Sequence, residues 1–323
     1  MEDAYILAFN VVSMKFSRND KLYPLYVVGL YSLLRRYSGY EELVVKAFLN
    51  TDIYFEKGPI LDIVVGHNFE AKKIDGLRER QKTFDVYALS DLGRDFYYEK
   101  EKGELKFINT RPYIVSDIDR FSNEELLNSF CHELGHIIKS KIHGFKILDN
   151  GEESGEVEFF FRSGVMFDSY FTKNGDMYNI KQYSMLDEVI NVLDTTEALN
   201  EIEGLKSISI DEDINSFISK LDYKKLSIDS GYNDCTFLLR KLWDNELFKS
   251  SAFDSCLTGS GALFSTFEKL EDNMFYTLGR LLDNYYDLIL NNGDKVEIKN
   301  IEYQILDIIN KYNVKYRDYV KKK

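Results

Sequence analysis

The spacing of apolar residues changes character along the chain. "LYPLYVVGLYSLLRRYSGY" (residues 22–40) repeats its apolar positions at helical spacing, with Leu30, Leu33 and Leu34 among them, and "YEELVVKAFLN" (40–50) reads as a second helix. "ILDIVVG" (60–66) is a short β-rich run, while "TFDVYALSD" (83–91) and "YYEKEKGELKFINTRPYIVSD" (97–117) alternate as strands do, with Lys102-Gly103 as a hairpin turn. "GEVEFFFRSGVMFDSYFTKNGDMYNI" (155–180) predicts a β-hairpin with Asn174-Gly175 at its tip. From about Met185 the helical period dominates to the C-terminus.

These runs predict an α+β fold class with two parts, in line with a length that suits two domains. Residues 1–148 form an N-terminal α+β domain, and residues 149–323 form a β-hairpin followed by a mostly helical domain. The boundary falls in "HGFKILDNGEESGE" (143–156), which is rich in glycine and acid. Neither an internal repeat nor a low-complexity segment is visible.

The N-terminal part ends in a helix with a marked start. Ser122 and Glu125 make an S-x-x-E capping box, and Leu127, Phe130, Leu134, Ile137 and Ile138 then fall on one side at helical spacing. Gly144 suits the C′ position, so a helix of about 20 residues from Asn123 is expected. It carries "FCHELGHIIKS" (130–140), with two of the chain's four histidines. At 100° per residue His132 and His136 lie about 40° apart with a rise difference of about 6 Å, on a face that the apolar stripe does not use. Two imidazoles so placed converge on one ion. Glu133, at the edge of that face, reaches a metal-bound water without taking a coordination position. That is the mechanical content of H-E-x-x-H and points to zinc.

A catalytic zinc takes three protein ligands and keeps one position open. His143 is a poor third, because it lies about 10 Å further along the helix axis than His136. The pattern H-E-x-x-H-x-x-G-x-x-H would also need glycine at 139 and histidine at 142, where Lys139 and Ile142 stand. His67, in "VVGHNFE", has no motif around it and reads as structural. A carboxylate is therefore expected. Glu152, Glu153, Glu156 and Glu158 lie in a glycine-rich loop and strand. Glu188, in "MLDEVINVLDTTEALNE", is the better candidate because it begins a new helix, 188 − 136 = 52 residues on, with room for the hairpin between. Glu197 and Glu201 stand in reserve. Cys131 points to the apolar side and reads as a small buried residue.

Composition narrows the partners. A formal net charge of −13 disfavours nucleic acid, since phosphate binding needs a basic face. The apolar runs fall short of the roughly 18–20 residues of a membrane helix. "MEDAYILAFNVVSMKFSRND" has acids where a secretion signal would have bases. Cys131, Cys235 and Cys256 are sparse and unclustered, which predicts no disulfide framework and a reducing compartment, the cytoplasm by default. Abundant Lys, Ile, Asn, Tyr and Asp with three prolines resembles the usage of an AT-rich bacterial genome.

The chain resembles a bacterial zinc metallopeptidase of the gluzincin type, in which H-E-x-x-H on one helix is completed by a glutamate on a later one. In one bacterial branch the second helix opens with a pattern like L-N-E-G-I-T-E, and "LDEVINVL" (186–193) is similar, placing Glu188 at the ligand position. "SGYNDCTFLLRKLWD" (230–244) and "SSAFDSCLTGSGALFSTFEKLED" (250–272) resemble the helices that come next in that branch, so the likeness covers roughly residues 110 to 273. It implies a zincin-like fold, a zinc cofactor held by His132, His136 and Glu188, and hydrolysis of a peptide or protein substrate with Glu133 as general base. It further implies a tyrosine or histidine donor for the oxyanion, for which Tyr232 matches best. Val189, Asn191 and Val192 depart from the pattern, and Val192 replaces an acid that would orient a ligand histidine; Asp187 and Asn191 are the substitutes at hand. The rival reading is a catalytically weak or inactive zincin that acts as a metal-stabilised protein-binding module.

Overall fold

The computed structural model describes residues 1–67, 69, 74–75, 77–78, 88–91, 94–99, 104–109, 111–148, 156–173, 176–226 and 232–321. Its elements run α1 (Glu2–Ser13), α2 (Tyr23–Arg36), α3 (Glu41–Asn50), β1 (Asp52–Glu56), α4 (Ile60–Gly66), β2 (Ala88–Asp91), β3 (Arg94–Glu99), β4 (Glu104–Asn109), β5 (Tyr113–Asp117) and α5 (Asn123–Lys139). Then come β6 (Ser140–Leu148), β7 (Glu156–Ser163), β8 (Met166–Lys173), β9 (Asp176–Gln182), α6 (Ser184–Asn200) and a 3-10 turn (Glu201–Ser207). The chain closes with α7 (Glu212–Lys220), α8 (Asn233–Trp243), α9 (Glu246–Thr258), α10 (Ala262–Glu268), α11 (Met274–Leu290) and α12 (Lys295–Lys321). Helices dominate, with small sheets between them, an α+β composition. Among the described residues no helix is long and apolar enough to cross a membrane.

Two compact units emerge, each gathered from separated stretches. One comprises Met1–Asp95, Phe107–Ile138 and Asp194–Ile228; the other comprises Phe96–Lys106, Lys139–Leu193 and Asp229–Lys323. Helices α5 and α6 each contribute residues to both. The boundary expected at 148/149 falls against residues 149–155, which lie outside the described residues.

In the first unit α2 is buried on all sides: Tyr23 and every residue from Leu25 to Leu34 are withdrawn from water. A helix that is apolar all round demands neighbours all round, and α1, α3, α5 and α7 contribute to its surroundings. Ser32 satisfies its hydroxyl on the Val28 carbonyl, 2.9 Å away, so even the polar residue fits. Gly29 allows the closest approach, because the Phe130 ring of α5 occupies the space a Cβ would need. Tyr26, Phe48 and Phe55 surround that ring at centroid distances of 5.6, 6.3 and 6.2 Å. The three-stranded sheet has the order β1-β5-β2, with β1 parallel and β2 antiparallel to a central β5 that is buried along its whole length.

In the second unit β6, β7, β8 and β9 form an antiparallel meander. Leu186, Val189, Ile190 and Leu193 of α6 share a core with residues of α8 to α12. The β7–β8 turn is Gly164-Val165, with Gly164 at φ 56°. The hairpin tip expected at Asn174-Gly175 lies outside the described residues, as does the Lys102-Gly103 turn, although β8 pairs with β9 through Lys173↔Asp176 and β3 pairs with β4.

Three stretches differ from the sequence expectation, and the first is residues 155–180, expected as one hairpin, which contribute to the three strands β7, β8 and β9. "ILDIVVG" is helix α4: Pro59 precedes it, Asp62 sits in its first turn, and Ile60, Ile63 and Val64 are buried at i, i+3, i+4 spacing. A seven-residue apolar run fits either period, and here a core on one side chooses the helix. Helix α5 ends at Lys139, well before Gly144. Residues from Ser140 onward join β6, whose ladder with β7 runs from Ser140↔Ser163 to Leu148↔Glu156, and Gly144 marks a register shift beside Ile142. The available β7 edge outweighs the continuing helical pattern.

The Gly29–Phe130 contact predicts a measurable cost. A Cβ at Gly29 would lie 2.5 and 2.7 Å from two ring carbons of Phe130, and the aromatic cage leaves that ring no room to withdraw. Gly29→Ala is expected to destabilise the protein by about 1–3 kcal/mol in urea unfolding, as overpacked cores do; an unchanged midpoint would show that the ring moves freely.

Candidate metal centre

The start of α5 obeys its capping chemistry. The Ser122 N–H donates to Glu125 Oε2 at 2.7 Å, and the Glu125 N–H donates to Ser122 Oγ at 3.3 Å. Leu127, Phe130, Leu134, Ile137 and Ile138 are all buried, as the stripe requires. With Phe130 locked against Gly29, His132 lies about 200° and His136 about 240° further round the helix, on the opposite side. Cys131 is buried, and its thiol donates to the Gly29 carbonyl at 3.7 Å. Burial pushes that thiol far above its ordinary pKa, which makes it a packing residue.

The two imidazoles meet. His132 Nε2 and His136 Nε2 are 3.2 Å apart, with the ring planes 88° to each other. Two nitrogens bound to one tetrahedral zinc at about 2.0–2.1 Å stand about 3.3 Å apart. Glu188 joins them: one ligand atom from each of His132, His136 and Glu188 lies within 4.8 Å of the others. Two imidazole nitrogens and one carboxylate oxygen are a donor set of the kind that divalent metals take. Glu133 is half-buried beside them in the sequence of the same helix.

Glu188 follows a firmly anchored first turn of α6. Asp283 Oδ1 accepts the Met185 N–H at 2.8 Å, the Tyr183 carbonyl accepts the Asp187 N–H at 3.0 Å, and Asp187 Oδ1 accepts the Val165 N–H at 2.7 Å. Gly164 has no room for a side chain, because a Cβ would overlap Asp187 Oδ1. One turn after Glu188, Asn191 Oδ1 accepts a hydrogen bond from Lys139 Nζ at 2.7 Å. Asp187 and Asn191, the two substitutes for the missing acid, are thus both engaged with neighbours inside the second unit.

The far half of α6 has a different role. Asp194 takes Arg36 Nε at 2.6 Å and the Tyr37 hydroxyl at 2.6 Å, and Glu197 pairs with Arg36 at 2.8 Å. Burial opposes the Arg36 charge, but Asp194 and Glu197 outweigh it and raise the guanidinium pKa. Glu201 pairs with Arg35 at 3.3 Å. Both reserve glutamates therefore face arginines. His67 bonds Glu56 at 2.6 Å and packs on Tyr54, a structural placement. His143 lies on strand β6 and not on the α5 helix, Glu156 and Glu158 lie on β7, and Glu152 and Glu153 lie outside the described residues.

Tyr232 precedes α8 as its N-cap residue and packs its ring on Tyr286, 5.4 Å between centroids. The Tyr286 phenol is pushed up by burial and by the nearby charges of Cys235, Glu188 and Asp287. Tyr286, which no motif singles out among 23 tyrosines, is thus within electrostatic reach of Glu188. Lys139 is equally silent in the sequence, where it stands only as a break in a longer pattern.

Comparison with protein-family models, with curated proteins and with solved structures finds no match for this chain.

The geometry separates Glu188 from the other acids. Glu188→Ala is expected to weaken zinc binding by at least about 100-fold in competition with a chromophoric chelator, the upper end of what loss of an outer hydrogen-bond partner costs. Glu197→Ala, which removes an arginine partner, should leave zinc affinity within about twofold of wild type. An equal loss in the two variants would remove Glu188 from the ligand set.

Proposed function

We propose that the chain is a zinc-dependent peptidase with a zincin-like arrangement of the gluzincin type. The observation that carries this reading is the meeting of His132 Nε2 and His136 Nε2 at 3.2 Å with Glu188 in the same cluster. His132, His136 and Glu188 would hold the metal, and zinc bound there would supply a water of near-neutral pKa and polarise a peptide carbonyl.

The remaining chemistry belongs to the chain. Glu133 accepts the proton of the attacking water and delivers it to the departing amine. Its half-buried position suits a base that must stay reachable by substrate. A phenol supplies the donor for charge that builds on the carbonyl oxygen. Tyr232 is the donor implied by the resemblance, and Tyr286, whose ring packs on it, offers a second hydroxyl. The substrate is a peptide or protein. The three described cysteines are free and buried, which supports a reducing compartment such as the cytoplasm.

A second reading is favoured by one specific replacement: Val192 stands where an acid would orient a ligand histidine. On that reading the metal stabilises a protein-binding module, and Glu133 has no catalytic duty.

Two measurements decide. Elemental analysis of protein purified without chelator should find about one zinc per chain, since the described residues hold one three-ligand cluster. Glu133→Gln should keep that zinc and lower cleavage of a mixed peptide library by about 10²–10⁴-fold, because only the proton acceptor is lost. Wild-type protein that binds zinc but cleaves nothing supports the binding module, and protein that binds no zinc defeats both readings.

A further inference from the structure

Lys139 is a buried cation, 3% exposed, three residues beyond His136. Its partner Asn191 is 1% exposed, three residues beyond Glu188. Buried ammonium groups are costly and persist only where partners compensate them. The Lys139 Nζ–Asn191 Oδ1 bond of 2.7 Å is such a compensation. The Lys139 carbonyl is engaged too, accepting the Gly164 N–H at 3.2 Å, so both the backbone and the side chain of this residue are tied down.

The helical phase gives the pair its meaning. On α5, Lys139 lies about 60° from His136 and about 20° from His132, on the face opposite Phe130. On α6, Asn191 lies about 60° from Glu188 and about 40° from Asp187, which is itself anchored to Val165. The same i, i+3 step thus leads from a candidate ligand to a buried anchor on each helix. Asp187 holds the first turn of α6 from one side of Glu188 in sequence, and Asn191 holds the next turn from the other.

We propose that Lys139 and Asn191 form a positioning strut that sets the Glu188 carboxylate for the metal. The proposal rests on the metal-site reading. The strut acts through the helix: it fixes the roll of α6 around Glu188 and reduces the motion that metal capture would otherwise have to suppress. Groups that orient ligands in this way typically contribute about 10–100-fold to metal affinity.

The test separates positioning from mere packing. Lys139→Met leaves the Asn191 carbonyl oxygen without this buried donor and should lower the melting temperature. The double variant Lys139→Met, Asn191→Leu removes this donor and this acceptor together, so it should cost less stability than the single variant. Zinc dissociation constants of both variants, from chelator competition, should rise about 10–100-fold even though the double variant melts above Lys139→Met. The cobalt(II) form should also change its visible absorption, since the coordination geometry relaxes. Asn191→Ser, whose lost volume admits a water that accepts the hydrogen bond of Lys139 Nζ, supplies the same measurement if the double variant does not fold. Phe248→Leu, a core change in the same unit, should lower stability while leaving zinc affinity and the cobalt spectrum unchanged. Wild-type zinc affinity in the double variant, or in Asn191→Ser, overturns the strut while leaving the metal site intact. Absence of zinc binding in the wild-type protein is a failure of the metal reading itself and removes the strut with it.

Discussion

Phe130 seated against Gly29 governs the orientation of the candidate metal centre. A helix has one free rotation about its axis, and burying a large ring in a cage of Tyr26, Phe48 and Phe55 removes it. Once Phe130 faces α2, His132 and His136 must face away from it. The same buried helix α2 holds the far half of α6, through Arg36 and Tyr37 on Asp194. Helix α2 is therefore a common support for the first half of one candidate-ligand helix and the far half of the other, gripping one by apolar contact and the other by a buried ion pair. The two grips differ in kind. The apolar one is non-directional and sensitive to volume, while the ionic one is directional and needs every partner present to offset its desolvation.

The N-terminal half of α6 adds buried polar contacts to its share of the apolar core. Asp187, Asn191 and Lys139 are all buried and all hydrogen-bonded. Such residues are weak contributors to net stability but strict about geometry, because a misplaced donor or acceptor loses its partner outright. Glycine serves the same end at 164, where a left-handed φ of 56° and the overlapping Asp187 carboxylate leave no alternative residue free of strain.

Much of this is written locally and some of it is not. The capping box of Ser122 and Glu125, the apolar stripe of α5, the helices α2 and α3 and the helical C-terminal part obey short-range rules, and the structure contains them. "ILDIVVG" misleads because seven apolar residues carry no decisive period, and the choice falls to a neighbouring core. The end of α5 misleads because Gly144 is a good helix stop only where no strand edge competes, and β7 offers one. Gly164-Val165, a hairpin turn, is inconspicuous beside Asn174-Gly175, whose residue pair is the stronger turn signal.

The sequence by itself determined the candidate chemistry: which histidines share a helix face, that Glu133 lies at its edge, and that Glu188 opens a new helix. These are consequences of a fixed 100° step and of capping preferences, which act over a few residues. Only the tertiary structure decided that Glu197 and Glu201 meet arginines. It also decided that Lys139 is buried against Asn191 and that Tyr286 senses Glu188. Those outcomes depend on how distant segments pack, and side-chain identity alone carries no record of its partner: a lysine after the HELGH motif reads the same whether it is solvated or enclosed.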